Sequence, residues 1–343
     1  MPTLKEWENK KVILAEKLTA ALGLKRLSPS FSAHREAYHE IDDPTVGHCE
    51  TIWTEWQKRR LPPERRIGEA FTAERVSFPG IDGEPAIVGV LRTPKNLTKP
   101  VTAVLCLHGH ARGLVIGKEI TEFYAVPFAE SGLITFAPDS LRFGERRIKE
   151  FDQLEIKHGG QTLFQGERML IQKFFLKGES YVGNQIAEFM RCVDFLRSLP
   201  NVERIVVMGH SMGGLIATWL GALDGRVDAT ICLAGLPCYE AMAKRDTARY
   251  HGMYTVVPGL LNACGTSDIV SLIAPRKFYA VHAMKDLGFP IDEVKRITSE
   301  AAAVFDLYGV RDNLNSKVVE GDHGDMLGKD ALDEILDYIK AVQ

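Results

Sequence analysis

Residues 204–224 read RIVVMGHSMGGLIATWLGALD, and this stretch decides the fold. The apolar run RIVVM is typical of a buried strand, and the stretch from Met212 onward is typical of a helix. Between the two lies the motif Gly-x-Ser-x-Gly, with Ser211 between Gly209 and Gly213. Side chains at the two glycine positions would collide across so tight a turn. The pattern therefore predicts a strand–turn–helix unit that exposes the Ser211 hydroxyl above a sheet.

Strands and helices alternate around this unit from residue 101 to the end of the chain. The run VTAVLCLHG is almost continuously apolar, which is typical of a strand buried on both faces of a sheet. This alternation predicts an α/β fold with a mostly parallel central sheet and helices on both faces. The other predicted strands are AFTAERVSFPG, EPAIVGVLRTP, LITFAPD, RIVVMGHS, VDATICLAG, RKFYAVHAM and SKVVEGD.

The chain of 343 residues is longer than the roughly 250 residues of an ordinary single α/β domain. We assign the surplus to an N-terminal helical extension, residues 1–70, ahead of one domain over residues 71–343. Apolar residues recur at helical spacing near the start and again from Thr51 to Arg60. Two stretches break the alternation, near 147–177 and 237–272, and each follows the end of a predicted strand. We expect cap-like insertions there, because ligands bind at that edge of open α/β sheets.

The composition excludes several function classes. Apolar residues make up 45% and charged residues 25%, the balance of a soluble globular protein. The net charge of −3 gives no electrostatic basis for binding nucleic acid or an anionic membrane. The chain shows neither a secretory signal nor a transmembrane run of about 18 apolar residues. Its six cysteines lack zinc-site spacing, so we expect reduced thiols and a cytoplasmic protein.

A serine hydroxyl becomes a good nucleophile only when a base takes its proton. In folds with this turn the partners follow in the order serine, acid, histidine. Most of the ten histidines precede Ser211, lie in an insertion or lie within a predicted strand, which leaves His323 as the base. Asp286 follows the strand RKFYAVHAM and is the preferred acid, because it would orient the imidazole. Glu240, which follows an earlier strand, stays open as the alternative.

Acyl transfer also needs two backbone N–H groups to stabilise an oxyanion. We expect one of them to be the N–H of Met212, the residue after the nucleophile. The loop His108-Gly-His110 after a buried strand predicts the other, the N–H of His110. Two histidines so close together could also bind a metal, but no further ligands stand at recognisable spacing. We therefore expect no metal and no cofactor.

A further pair of charged residues follows the strand LITFAPD. Asp139 and Arg142 stand three positions apart in the loop after that strand. We expect them to brace the loop through an ion pair.

The segments LCLHGHARG, LITFAPDSLRFGERR, VVMGHSMGGLIATWLGALDGRV, LIAPRKFYAVHAMKDLGFP and GDHGD together resemble a branch of the α/β-hydrolase superfamily. This branch contains the dienelactone-hydrolase-like and acetyl-xylan-esterase-like proteins, and the resemblance spans roughly residues 75–340. It implies an α/β-hydrolase fold, Ser211, Asp286 and His323 as catalytic triad, and the His110 and Met212 amides as oxyanion hole. Dienelactone hydrolases proper carry a cysteine where this chain has Ser211, which favours ordinary ester hydrolysis.

The leading functional hypothesis is therefore a serine-dependent carboxylic-ester hydrolase for small-molecule esters, with acetyl esters of carbohydrates among the candidates. An amidase, peptidase or C–C bond hydrolase would use the same triad and stays open as a second hypothesis. A third hypothesis, from another class, is a ligand-binding protein that keeps the fold without turnover. Residues 1–70 are a candidate homodimer contact or a cover for the flank of the domain.

Overall fold

A computed structural model describes residues 3–39, 61, 63–110, 117–148, 150, 165–244, 246–324 and 328–342. The predicted helix from Thr51 to Arg60 and most of the 147–177 insertion lie outside these residues.

The strands are β1 His34–Ala37, β2 Phe71–Phe78, β3 Ile87–Pro94, β4 Val101–Leu107, β5 Ile134–Pro138, β6 Val202–His210, β7 Ala229–Leu233, β8 Lys277–Ala283 and β9 Leu314–Val319. The α-helices are α1 Leu4–Leu22, α2 Pro63–Ile67, α3 Glu122–Glu130, α4 Gln165–Phe175, α5 Tyr181–Ser198, α6 Met212–Leu223, α7 Tyr239–Lys244, α8 Leu260–Ala263, α9 Thr266–Ser271, α10 Ile291–Leu307 and α11 Lys329–Lys340. Short 3₁₀ turns cover Lys118–Thr121, Gly144–Arg146, Asp246–Tyr250, Met253–Thr255 and Arg311–Asn313. The alternation from β4 onward is the predicted one, and it confirms the α/β class.

The chain divides into two compact units. The first unit comprises Met1–Arg26, Leu170–Ala187 and Val207–Gln343, and the second comprises Leu27–Met169 and Glu188–Val206. The strands follow the order β1-β2-β3-β5-β4-β6-β7-β8-β9.

In the second unit, β1, β2 and β3 form an antiparallel meander, and β3 continues antiparallel onto β5. Strand β4 then pairs with β5 in parallel. All five residues of β5 are buried, as expected for a strand covered on both faces.

Strand β1 corrects the expectation that the described part of residues 1–70 is purely helical. Its sequence, His-Arg-Glu-Ala, has no apolar alternation, and all four residues are exposed. The strand exists because β2 offers it a row of backbone partners, an interaction that the hydrophobic pattern does not encode. Across this pair the Arg35 guanidinium donates two hydrogen bonds to the Glu74 carboxylate, at 3.1 and 2.5 Å.

In the first unit, β7, β8 and β9 run parallel to one another. Helix α1 begins with a capping box between Thr3 and Glu6 and ends at Gly23, which adopts the left-handed conformation. Its buried stripe is Trp7, Leu14, Leu18 and Leu22, which recur at helical spacing. The Ser180 hydroxyl before α5 donates to the last carbonyl of α1, that of Leu22, at 2.9 Å. The N-terminal helix is thus fastened within the first unit.

The start of α6 approaches the end of β7 more closely than side chains would allow. A methyl group built on Gly235 would lie 2.4 Å from the Cα atom of Gly214, a backbone atom with little room to move. A methyl group on Gly214 would lie 2.9 Å from the carbonyl oxygen of Leu233. Both glycines are therefore required by close approach of the backbone rather than by a turn.

We expect Gly235→Ala to lower the free energy of unfolding by about 1–3 kcal/mol or more, because atoms forced into a packed site displace the backbone. The measurement is urea denaturation followed by circular dichroism. Gly225→Ala is the matched control, since nothing lies within 4 Å of a methyl group there and its φ is not positive. Equal midpoints for the two variants would contradict the assigned close approach.

Candidate active site

Ser211 occupies the turn between β6 and α6 in a strained backbone conformation, with φ 56° and ψ −118°. Its N–H donates to the carbonyl of Leu233 at 2.8 Å, which ties the turn to the end of β7. A methyl group built on Gly209 would lie 2.2 Å from the carbonyl carbon and oxygen of Gly213. The steric argument made from the sequence therefore matches the geometry at this turn.

The imidazole of His323 lies within hydrogen-bond distance of this serine. Its Nε2 is 2.9 Å from the Ser211 Oγ. Its Nδ1 is 2.6 Å from the Asp286 Oδ2, and a carboxylate can only accept, so Nδ1 carries the proton. In the neutral ring Nε2 is then an acceptor, which the Ser211 hydroxyl fills as donor. The three residues, far apart in sequence, form one continuous hydrogen-bonded chain.

The Asp286 carboxylate is buried, with 7% of the residue exposed. Its second oxygen, Oδ1, accepts a hydrogen bond from the N–H of Gly288 at 3.0 Å. Burial by itself would raise the pKa of Asp286, but the hydrogen bond from His323, the charge of that ring and the Gly288 N–H outweigh burial and hold it below the ordinary value. The surroundings of Asp286 therefore favour the ionised carboxylate, the form that orients an imidazole.

Glu240, the alternative acid, lies at the start of α7 and has other partners. It accepts hydrogen bonds from the N–H and the hydroxyl of Thr266, both at 2.8 Å, and lies 3.5 Å from the Arg296 guanidinium. These contacts connect two helices of the 237–272 insertion with α10. The structure thus brings Asp286, and not Glu240, to the imidazole of His323.

Sequence reasoning missed His210, the residue before the serine. It is buried, and its Nε2 donates to the backbone carbonyl of His323 at 3.1 Å, with the two ring centroids 5.0 Å apart. The side chain of one motif residue thereby holds the backbone of the predicted base. No sequence signal could identify this role, because the middle positions of the Gly-x-Ser-x-Gly motif are unspecified.

Met212 begins α6 directly after the serine and is 1% exposed. Backbone N–H groups in the first turn of a helix have no partner within the helix, and the helix dipole favours negative charge there. The position is therefore electrostatically suited to an anion that develops next to Ser211.

The predicted second donor, His110, lies in the second unit beyond the end of β4. Its Nε2 is 2.5 Å from the Glu167 carboxylate on α4. His108 donates from Nδ1 to the carbonyl of Gly109 at 2.8 Å and accepts the Ser140 N–H at Nε2, at 2.9 Å. Burial lowers the pKa of His108 to about 4, which keeps this ring neutral. The two rings of the candidate metal pair thus make different contacts, and no group of three or more potential ligands occurs among the described residues.

Asp139 is fully buried, and its observed cation is Lys118 rather than the expected Arg142. The Lys118 ammonium lies 2.7 Å from its Oδ2, and the Lys118 N–H donates to its Oδ1 at 2.7 Å. A third hydrogen bond comes from the N–H of Glu145 at 3.1 Å. The carboxylate braces the loop as expected, but its partner is different. Lys118 lies 21 positions earlier in the chain, and local spacing in the sequence does not reveal a contact of that range.

None of the described helices is long and apolar enough to cross a membrane.

Sequence comparisons with known proteins find a family profile and a relative that match this chain. The sequence profile of the α/β-hydrolase fold matches residues 102–274. The candidate hydrolase YtaP of Bacillus subtilis (strain 168) is 30% identical over 230 residues, which are 64% of this chain and 72% of that protein.

Solved structures share the fold at lower identity. A candidate acetyl xylan esterase of Bacteroides fragilis NCTC 9343 superposes with a TM-score of 0.67 at 18% identity, over 93% of this chain and 76% of that one. A glucuronoyl esterase of Solibacter usitatus superposes with a TM-score of 0.64 at 16% identity, over 99% and 94%. By its sequence profile, its relative and its serine turn between β6 and α6, the chain belongs to the α/β-hydrolase fold family.

Proposed function

We propose that the protein is a serine-dependent carboxylic-ester hydrolase that works through an acyl-enzyme on Ser211. The observation that carries the proposal is the hydrogen-bonded chain from Asp286 through His323 to Ser211, at 2.6 and 2.9 Å. This is the arrangement in which a base removes the proton of a serine and an acid orients the base. The similarity to solved structures described as esterases supports the same reaction class.

In the first half of the reaction the Ser211 Oγ attacks the ester carbonyl carbon while His323 Nε2 takes the hydroxyl proton. The tetrahedral intermediate then collapses, the bond to the alcohol oxygen breaks, and the imidazolium returns the proton to that oxygen. In the second half water attacks the acyl-enzyme with the same base, which releases the carboxylic acid and restores the serine. Atoms balance in this cycle without any cofactor.

Asp286 serves this cycle through the other nitrogen of the ring. Its ionised carboxylate keeps the proton on Nδ1, so that Nε2 faces Ser211 as an acceptor, and it stabilises the imidazolium that forms during attack. The N–H of Met212 is the proposed first donor to the oxyanion. His110 as the second donor stays a prediction from its sequence motif.

The substrate class proposed is a small-molecule ester. Acetyl and carbohydrate esters are the first candidates, because structures sharing this fold are described as acetyl xylan and glucuronoyl esterases. A cytoplasmic location and a homodimer contact through residues 1–70 stay predictions from the sequence.

A fluorophosphonate probe should label Ser211 in the wild-type protein and should not label Ser211→Ala. The probe mimics the tetrahedral intermediate and reacts only with a serine whose proton is removed by a neighbouring base. Peptide mapping by mass spectrometry locates the adduct, and esterase activity should fall about 10⁴-fold or more in the variant. Ser271→Ala is the control, because that hydroxyl donates to the Ser267 carbonyl within a helix. Retained esterase activity in Ser211→Ala would refute the proposal, and unlabelled folded wild type would favour the ligand-binding alternative.

Wild-type protein should cleave p-nitrophenyl acetate much faster than an aminoacyl p-nitroanilide. Both substrates would use the same triad, so the ratio of the two kcat/KM values reports the preferred leaving group. The measurement is the release of nitrophenolate or nitroaniline under identical conditions. A faster anilide reaction would replace the ester hydrolase by the amidase or peptidase alternative.

Asp286→Asn should lower kcat by about 10²–10⁴-fold, because the amide cannot hold the proton on Nδ1 or stabilise the imidazolium. Glu240→Gln is the matched carboxylate control and should retain kcat within about threefold, since its partners are Thr266 and Arg296. The measurement is steady-state ester hydrolysis with circular dichroism to establish folding. A larger loss for Glu240→Gln than for Asp286→Asn would transfer the acid role to Glu240.

A further inference from the structure

The 237–272 insertion contributes a histidine to the surroundings of the triad acid. The His251 ring is half-buried, and its Nε2 lies 2.8 Å from the carbonyl oxygen of Gly288. A carbonyl only accepts, so this nitrogen carries a proton and donates it. Burial lowers the pKa of His251 below its ordinary value, although the charge of Asp286 opposes the shift. The ring is therefore a neutral donor with no part in the proposed proton transfers.

Gly288 connects this hydrogen bond to the acid. While its carbonyl accepts from His251, its N–H donates to the Asp286 Oδ1 at 3.0 Å. The insertion also packs directly on this glycine: a methyl group built there would lie 3.4 Å from the Cβ of Tyr250 and 3.7 Å from the Cε1 of His251. The Gly288 peptide is thus bonded to the Asp286 carboxylate through its N–H and to the insertion through its carbonyl.

Phe289 makes a second connection, this time to the base. The Phe289 ring lies face to face with the His323 ring, with an interplanar angle of 6° and centroids 5.7 Å apart. The His251 ring meets the same phenyl ring at 82°, with centroids 4.9 Å apart, an edge-on arrangement. Phe289 is 3% exposed, so neither contact can be replaced by solvent.

The phenyl ring has a third histidine neighbour, His282 at the end of β8. It is fully buried, its centroid lies 6.1 Å from that of Phe289, and burial lowers its pKa to about 4. Phe289 therefore retains a ring neighbour from β8 when the His251 ring is removed.

We propose that His251 is a positioning residue for the Asp286–His323 pair. It acts at two points: its Nε2–H holds the peptide next to the carboxylate, and its ring holds the phenyl plane against which the imidazole lies. The proposal rests on the proposed function, because positioning matters only if this pair performs acid–base chemistry. The insertion would then influence catalysis through the acid and the base, without a contact to the substrate.

The physical basis is that general-base catalysis depends on narrow geometry. An imidazole with 43% of its side chain exposed has little packing of its own to restrict it, so its neighbours must set the orientation of its plane. Small displacements of a reacting group can lower the rate about 10- to 100-fold. Losing one side of the support should therefore reduce kcat without changing how substrate binds.

Three variants separate the two contacts. His251→Gln retains a donor near the position of Nε2, His251→Phe retains the ring edge without the donor, and His251→Ala removes both. His34→Gln is the control, because that histidine lies on β1 with 70% of its side chain exposed. Each protein is assayed for kcat and KM with p-nitrophenyl acetate and for the rate of fluorophosphonate labelling.

We expect kcat and the labelling rate to fall about tenfold in His251→Phe and more in His251→Ala, with KM within about twofold. His251→Gln should retain kcat within about threefold. A role confined to stability would lower the yield of folded protein and leave kcat and the labelling rate of the folded fraction unchanged.

A proton NMR measurement keeps this test separate from that of the proposed function. The proton between His323 Nδ1 and Asp286 should give a downfield resonance in wild type that broadens in His251→Ala, whether or not the protein hydrolyses esters. An unchanged resonance together with unchanged kcat and labelling in folded His251→Ala would overturn the positioning role. Failure of the proposed function would instead be seen in Ser211→Ala, with the NMR difference intact.

Discussion

The strained turn at Ser211 is the constraint on which the other features of the site depend. A non-glycine residue with φ 56° costs on the order of 1–3 kcal/mol, which the surroundings must offset. They do so through the hydrogen bond from the Ser211 N–H to Leu233 and through the burial of almost the whole of α6. The absence of side chains at Gly214 and Gly235 lets the helix start lie against the end of β7. Ser211, the proposed nucleophile, is thus held by backbone geometry, and no contact of its own side chain is needed to place it.

Around this turn, the Asp286 carboxylate and the His323 backbone carbonyl both accept hydrogen bonds. The Asp286 carboxylate uses one oxygen for the imidazole and the other for the Gly288 N–H, which satisfies a buried charge that would otherwise be costly. The His323 backbone carbonyl receives the His210 side chain, and the His323 ring lies on Phe289. The proposed base and acid are therefore fixed from the backbone side as well as from the side-chain side, and His323 Nε2 faces the Ser211 hydroxyl.

The two acidic candidates show how chemically similar residues acquire different uses. Glu240 and Asp286 both follow a parallel strand, but the Glu240 carboxylate is occupied by Thr266 and by the Arg296 guanidinium. It therefore stabilises the 237–272 insertion, while the same insertion supports the acid loop through His251. The 237–272 segment therefore contacts the loop that carries Asp286, through the His251 ring and the Gly288 carbonyl.

The sequence by itself determined the α/β class and the strand–turn–helix unit, and it predicted Ser211 as the nucleophile and the histidine of the last loop as the base. These features depend on local periodicity and on residue types that a tight turn demands, so neighbouring residues carry the signal. Only the tertiary structure selected Asp286 over Glu240, paired Asp139 with Lys118 and revealed β1, His210 and the contacts of Phe289. Each of those depends on groups from separate chain segments, such as Ser211 and His323, which lie 112 positions apart. Hydrogen bonds and ring contacts of this kind leave no periodic trace in a sequence, because they are set by how the segments fold back on one another.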